Sequence, residues 1–139
     1  MPKWRQWQAI ESVRHNIDLL RRMGLYQIRM VDEQNNPIPI PRVVGVDVEG
    51  IIYMGKSVRL RARIEDFSRG NHSGGEMYFL IYRRLMKYES YRGHSLQFRV
   101  MTCTAADAET KEANMLRRYF RRFCELPPFN STVPGGKQK

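Results

Sequence analysis

The sequence predicts an α+β fold in which helices flank a small, mostly antiparallel sheet of three strands. Two observations predict this class. Apolar residues recur at helical spacing around positions 7–23, 58–67, 77–88 and 104–124, whereas two intervening stretches have the composition of strands. The resulting order of helices around a short run of strands is typical of α+β proteins, in which helices cover an antiparallel sheet.

The first predicted element is an extra N-terminal helix from about Trp7 to Met23. Its apolar residues recur at helical spacing, and Arg and His occupy the other face. Gly24 would end this helix. We therefore expect residues 1–23 to pack as a helix on a core domain of residues 24–131, and residues 132–139 to form a flexible tail.

The sheet is predicted to follow this helix. The stretch "LYQIRM" from Leu25 suits a strand better than a helix. Three prolines between Pro37 and Pro41 exclude a helix from the next connection. The stretch "VVGVDVEGIIYMG" then predicts two strands joined by a turn at Glu49–Gly50, which complete the small sheet.

Two helices are predicted after the sheet. Ser57 is a good N-cap for the first, "VRLRARIEDF", which has Leu60, Ile64 and Phe67 on one side. The composition of "SRGNHSGGE" predicts a flexible loop, and "MYFLIYRRLMKY" predicts the second helix.

The last part of the chain predicts a further strand and a long helix. "SLQFRVMTCT" alternates in part, as a strand does. Thr104 is expected to cap the last helix, with Asp107 at the capping-box position. That helix should run to about Cys124, because Pro127 and the proline after it cannot continue it.

The composition points to a polyanionic partner. The chain has 24 Lys and Arg against 14 Asp and Glu, a formal charge of +10, which in so small a domain favours nucleic acid. Cys103 and Cys124 lie in no metal-binding spacing, and we expect reduced thiols in the cytoplasm. No apolar run approaches the about 20 residues that cross a bilayer, and the N-terminus lacks the apolar core of a signal peptide.

An ordered set of residues resembles the GIY-YIG nuclease family. The set consists of "GLY" at 24–26, "YMG" at 53–55, Arg63 eight positions after Gly55, Glu112 in "AETKEANMLRRYF" and Asn130 in "PPFNST". Each triplet alone is weak, whereas the ordered set is specific. The likeness covers residues 24–131.

The resemblance implies a metal-dependent endonuclease that hydrolyses phosphodiester bonds in DNA. Glu112 would hold one divalent ion, Mg²⁺ or Mn²⁺, with waters completing its coordination. Tyr26 would act as the base for an attacking water, with positive charge from Lys56 or Arg63. Tyr53 would orient the water or the scissile phosphate.

The same resemblance implies contacts that hold the substrate. Arg63 would bind the scissile phosphate through its planar fork, and Asn130 would support the site rather than react. The nucleic-acid contacts expected around the start of the helix, where backbone amides favour anions, and in the following loop are Gly55, Ser57, Arg59, Arg61 and His72.

This sequence departs from the family pattern in two places. The family often has a histidine or tyrosine four positions after the arginine, where this chain has Phe67; His72 could replace it. Tyr53 follows Tyr26 by 27 positions, and the extra segment is either a DNA-contacting loop or an inert insertion. Glu109 also competes with Glu112 for the metal.

Two other functions stay open at this point. The chain could be a GIY-YIG-fold module that binds nucleic acid without turnover, as the phenyl ring at Phe67 suggests. It could also be a basic structural protein, which predicts that Tyr26, Tyr53, Arg63 and Glu112 do not cluster in space. An active enzyme of this size could need a homodimer or a partner protein to cut both strands.

Overall fold

An antiparallel sheet of four strands forms the centre of the structure, a computed structural model that describes residues 3–71 and 73–131. In chain order the elements are β1 (Gln8–Ala9), β2 (Gly24–Val31), β3 (Ile40–Pro41), β4 (Val46–Asp47), β5 (Ile51–Ser57), α1 (Leu60–Arg69), α2 (Ser73–Leu85), β6 (Ser95–Thr102) and α3 (Ala105–Phe123). The main sheet has the order β1–β6–β2–β5, and β3 pairs with β4 separately. The predicted α+β class is confirmed, and the predicted tail at 132–139 lies outside the described residues.

Strand β2 is central and separates two apolar layers. It pairs with β6 along its whole length, from Gly24 opposite Thr102 to Val31 opposite Ser95. One layer contains the alternate β2 residues from Tyr26 onward and the buried face of α1. The other layer lies between β5 and α3 and is built from Ile51, Met54, Leu116, Tyr119 and Phe123. Because side chains alternate along a strand, Gln27 of β2 points the other way and contacts the Met115 sulfur beside the second layer.

Helix α1 buries the side that the sequence predicts. Leu60, Ile64 and Phe67 are all inaccessible to solvent. The helix begins two residues later than predicted, with Arg59 rather than Ser57 at its N-cap, although the Ser57 hydroxyl accepts the backbone N–H of Arg59 at 2.9 Å. Helix α2 begins inside the stretch predicted to be a loop.

Helix α3 follows the prediction closely. The Thr104 side chain accepts the backbone N–H of Asp107 at its start, and Cys124 ends it in a left-handed conformation with φ of 58°. Among the described residues, this helix and the others are too short or too polar to cross a membrane.

The predicted N-terminal helix is wrong. The segment forms strand β1 and two short 3-10 helices, Ile10–His15 and Ile17–Leu19, which are interrupted by extended backbone at Asn16. The Asn16 side chain accepts the backbone N–H of Leu19 at 3.2 Å and so restarts the chain in a new direction. The apolar periodicity therefore breaks, and Ile17 is left 79% exposed while Leu19 is buried.

The three-strand sheet predicted from the "VVGVD" stretch is also wrong. Val46–Asp47 pairs with Ile40–Pro41 in a separate ribbon, and β1 and β6 complete the main sheet instead. A local turn explains the separate ribbon: the N–H of Arg42 donates a hydrogen bond to the carbonyl of Gly45 at 3.0 Å and closes a tight turn. A strand-like composition therefore stays at the surface, where Val43 is 72% exposed.

Replacing Gly24 by alanine should strongly destabilise the fold. Gly24 has φ of +152°, and an added Cβ would collide with the Met101 carbonyl oxygen and lie 2.9 Å from the Thr102 Cα. Gly45, with φ of +77° and open space around its α-carbon, is the matched control. In urea unfolding we expect Gly45→Ala to cost about 1–2 kcal/mol from backbone strain alone, and Gly24→Ala to cost about 1–3 kcal/mol more. Equal losses would show that the β2–β6 contact is looser than the structure has it.

Candidate active site

A bulge in β5 sets the faces of its residues. The register against β2 passes from Ile28 opposite Tyr53 to Arg29 opposite Ile51, so Ile52 is an extra residue. Such a bulge lets two successive side chains point to one face of the sheet. Ile52 and Tyr53 accordingly pack in the layer of α1, and Ile51 packs against α3.

Tyr26 lies across Gly55, its partner on β5. A Cβ on Gly55 would stand 2.8 Å from the Tyr26 hydroxyl oxygen, so the glycine makes room for the phenol. Gly55 therefore allows the Tyr26 ring to approach the backbone of β5 closely. Gly55 itself is buried. Tyr26 is only 1% exposed, and its ring centroid lies 5.9 Å from that of Tyr53, to which it hydrogen-bonds.

Charged side chains on α1 and α3 interact with this pair of phenols. Arg63 on α1 and Glu112 on α3 both interact electrostatically with Tyr26 and with Tyr53. Lys56, at the end of β5, interacts in the same way with Glu112. Electrostatic interactions thus link five side chains from four elements.

Burial is the main influence on the ionisation of the phenols. It raises the pKa of Tyr26 well above the ordinary value, and the neighbouring Tyr53 and Glu112 raise it further while Arg63 lowers it. Burial also raises the pKa of Tyr53, again opposed by Arg63 and assisted by Glu112. Both phenols are therefore neutral near pH 7.

The carboxyl group of Glu112 is half-buried. Burial raises its pKa first, Lys56 lowers the pKa, and Glu109 raises it. Glu109 is exposed on the same helix, so the two acids that compete for a metal in the sequence are neighbours in the structure. Glu112 is the more buried of the two, and it is the one that interacts with the phenols.

Asn130 holds the outer edge of β5. Its Nδ2 donates to the Met54 carbonyl at 2.8 Å, and its Oδ1 accepts the Met54 N–H at 2.9 Å. The Phe129 N–H also donates to the Ile52 carbonyl at 2.9 Å. The Asn130 amide and the Phe129 N–H together replace a neighbouring strand and fix the backbone on both sides of Tyr53.

The other predicted nucleic-acid contacts are not all at this site. Arg59 is exposed one turn before Arg63 on the same helix face. Arg61 lies on another flank, because each helical residue turns by about 100°, and its guanidinium donates to the Arg14 carbonyl. Arg61 therefore does not share the helix face of Arg63, and its role as a nucleic-acid contact stays a prediction. His72 lies outside the described residues.

Phe67 occupies the place where the resembled family has a histidine or tyrosine. It is fully buried, and its ring centroid is 5.3 Å from that of Tyr53. It therefore supports Tyr53 from below by aromatic packing.

The opposite face of the sheet carries a row of polar residues that was not predicted. Gln27 and Arg29 alternate with the apolar residues of β2, and Gln97 and Arg99 stand beside them on β6. The sequence signal for this row is the alternation of polar and apolar residues in "LYQIRM" and "LQFRV".

A single hydrated cation fits the acids that are present. Among residues 3–71 and 73–131, no group of three or more His, Cys, Asp or Glu could hold a metal. Mg²⁺ is commonly held by one or two carboxylates and several waters, and the single carboxylate of Glu112 is compatible with such a site. A site with a full set of protein ligands does not fit.

Comparison of the chain with protein-family models, with curated proteins and with solved structures finds no match.

The buried phenol of Tyr26 should make stability depend on pH. Its raised pKa means that the folded chain keeps this proton to higher pH than the unfolded chain. The stabilisation is therefore complete below the unfolded value of about 10 and is lost as the pH rises, by up to about 1.4 kcal/mol per pH unit.

Urea unfolding between about pH 8 and 11, spanning the ordinary tyrosine pKa, would measure this slope. We expect the slope to be smaller in Tyr26→Phe than in the wild type. Tyr88→Phe is the control, because Tyr88 is 62% exposed and its slope should match the wild type. Parallel curves for the wild type and Tyr26→Phe would contradict the burial of this hydroxyl.

Proposed function

We propose that this chain is a metal-dependent endonuclease of the GIY-YIG type that hydrolyses phosphodiester bonds in DNA. The observation that carries the proposal is the convergence of Tyr26, Tyr53, Arg63 and Glu112, which come from β2, β5, α1 and α3. A basic structural protein gives no reason for this convergence.

Within residues 3–71 and 73–131, the charged side chains around the phenols form no ion pair. In the described part of the chain, the ion pairs within 4 Å join other residues, such as Arg42 with Glu125 and Arg69 with Glu65. Arg63 is exposed, and its planar fork suits a bidentate contact to a phosphate. The expected substrate is therefore a polyanion, in agreement with the charge of +10.

The accessible phenol is better placed for proton transfer than the buried one. Tyr53 is partly exposed, whereas Tyr26 lies behind it at 1% exposure. We therefore assign contact with the attacking water to Tyr53, and give Tyr26 the task of orienting it by a hydrogen bond, which reverses the roles expected from the sequence. Because Glu112 raises the pKa of both phenols, a cation that neutralises its charge would lower those pKa values. Either phenol would then lose its own proton more easily, which it must do before it can accept one from water.

Glu112 would hold the divalent ion, Mg²⁺ or Mn²⁺. That ion would supply positive charge to the phosphate and to the departing 3′ oxygen. Lys56 stands beside Glu112 and limits how tightly a bare dication binds, so a hydrated ion is expected. Asn130 keeps Tyr53 in place without touching the substrate.

A binding module without turnover is the second candidate. Phe67 favours it, because a buried phenyl ring can neither take a proton nor bind phosphate. The half-buried Glu112 favours the enzyme, since a binding module has no need of a carboxylate that repels DNA.

Substituting Glu112 by glutamine should abolish cleavage. We expect wild-type protein to nick supercoiled plasmid with Mg²⁺ or Mn²⁺ and to lose this activity on chelation. Glu112→Gln should lose at least about a hundredfold in rate while still binding DNA, and Glu109→Gln, on the same helix and exposed, should keep most activity. A wild-type protein that binds DNA but never cuts duplex, branched or single-stranded substrates would establish the binding module instead.

Tyr53→Phe and Arg63→Ala should each lower the cleavage rate by at least about a hundredfold, the scale for losing one proton-transfer or electrostatic group. Arg59→Ala is the matched control for Arg63, because it removes an exposed arginine one turn away. We expect it to weaken binding only slightly. Rates close to normal in both Tyr53→Phe and Arg63→Ala would remove this site even if the protein cuts DNA.

A further inference from the structure

A second groove lies on the other face of the sheet, between the N-terminal segment and α3. It consists of two adjoining cavities of about 250 and 210 Å³ that share Trp4, Met115 and Arg118. Gln27 and Arg99 lie in the larger cavity. We call it the arm groove. The two cavities together exceed about 300 Å³, the lower end of the volumes of small-molecule sites.

The backbone holds the wall of the arm groove in place. The Arg5 N–H donates to the Val100 carbonyl at 2.9 Å, and β1 extends the same edge of the sheet beside β6. Trp4 therefore immediately precedes a segment that is hydrogen-bonded to β6, and the residue is half-buried.

Guanidinium groups and indole rings alternate beside the arm groove. The Arg99 guanidinium lies 4.6 Å from the ring centroids of both Trp4 and Trp7, and that of Arg29 lies 4.2 Å from Trp7. The Gln27 amide oxygen accepts from Arg99 Nε at 2.8 Å. These contacts preorganise Arg99, which lowers the entropic cost of binding a ligand there.

The lining of the arm groove has more positive than negative charge. Of the described residues that line it, four are basic and two are acidic: Arg99, Arg118, Arg122 and Lys111 against Asp47 and Glu49. Asp47 already accepts the backbone N–H groups of Ile51 and Glu49 and the hydroxyl of Tyr119. Glu49 is exposed and 3.9 Å from Arg99, so it balances one cation at most. An anionic group would compensate the remaining charge.

A buried amide adds a hydrogen-bond donor to this lining. Gln27 is 4% exposed, and its Nε2 is paired with the Met115 sulfur at 3.4 Å. A thioether is a weak acceptor, so a ligand oxygen or ring nitrogen would be a better partner. The indole rings, the amide donor and the cluster of cations together suit a ligand in which a base is joined to a phosphate.

We propose that the arm groove binds a nucleotide, with its base against Trp4 and Gln27 and its phosphate on Arg99 and Arg118. The nucleotide is either a free nucleoside phosphate or one unit of a single strand, since both present the same chemistry. This proposal does not depend on cleavage at Glu112, because the groove lies on the opposite face of the sheet from the Tyr26 ring.

Tryptophan fluorescence tests this proposal directly. The chain has two tryptophans, Trp4 and Trp7, and both lie in the N-terminal segment at the groove. The full-length protein would be titrated in chelator with deoxyadenosine monophosphate, with a short deoxyadenosine oligonucleotide, with inorganic phosphate and with a polyglutamate peptide, all at one ionic strength. We expect a saturable change with the mononucleotide, the oligonucleotide or both, and none with phosphate or the peptide.

Arg118→Glu and Arg121→Glu form the matched pair of variants. Both residues are exposed on α3 and change the net charge equally, but only Arg118 lines the arm groove. We expect Arg118→Glu to raise the dissociation constant at least about tenfold, as loss of a charge-assisted hydrogen bond does, and Arg121→Glu to have little effect.

Three results would overturn the proposal: no response to either nucleotide probe, an equal response to phosphate or to the peptide, or an equal loss in both variants. A response to the mononucleotide assigns free nucleotides as ligands, and a response to the oligonucleotide alone assigns an unpaired strand. Since the titration contains no divalent ion, failure of plasmid nicking would leave its result unchanged, and the reverse also holds.

Discussion

The pairing of Tyr26 with Gly55 is the constraint on which the candidate site depends. The phenol occupies the space that a side chain at Gly55 would need, so the register of β2 against β5 cannot slip without a collision. A slip by one residue would turn every side chain to the opposite face. The same register brings Tyr53 to the Tyr26 face, and the Asn130 amide fixes the free edge of the strand at Met54.

The site combines a neutral interior with charges at its rim. Burial keeps Tyr26 and Tyr53 protonated, because an isolated phenolate in this layer would be poorly solvated. Arg63 and Lys56 are exposed, and Glu112 is half-buried. Arg63 on α1 lowers the pKa of both phenols, and Glu112 on α3 raises it. A ligand that neutralises one of these charges would therefore shift the pKa of the phenols. A general base works best with a pKa near the operating pH, so the proposed proton transfer needs a ligand that lowers the pKa of the phenols.

Local signals predicted the elements whose ends are fixed by their own residues. Helix α3 has a capping threonine at its start and prolines after its end, so its bounds are readable from the chain. The segment before β2 has helical spacing as well, but the Asn16 side chain bonds to the backbone and breaks the pattern. The stretch after Pro41 has strand composition, yet β6 fills the place beside β2, and no local rule predicts that choice.

The candidate site was predictable only as an ordered set of residues. No periodicity places Glu112 near Tyr26, since the two meet through the packing of α3 on the sheet. The set of residue types carried that information, whereas the role of Gly55 and the turning away of Arg61 depend on contacts that appear only after folding. The burial of Tyr26 behind Tyr53 is likewise a property of the packed layer.

The two faces of the sheet are linked by the elements that they share. Tyr26 and Gln27 are successive residues of β2 and point to opposite faces, while α3 contributes Glu112 to one site and Arg118 to the other. Packing along a regular strand and helix leaves little freedom for one residue to move alone. A ligand in the arm groove would therefore contact the same two elements that position Tyr26 and Glu112. Substitution of exposed Arg118 changes the charge of the groove without touching the buried side of either element, which is why it separates binding there from the integrity of the candidate active site.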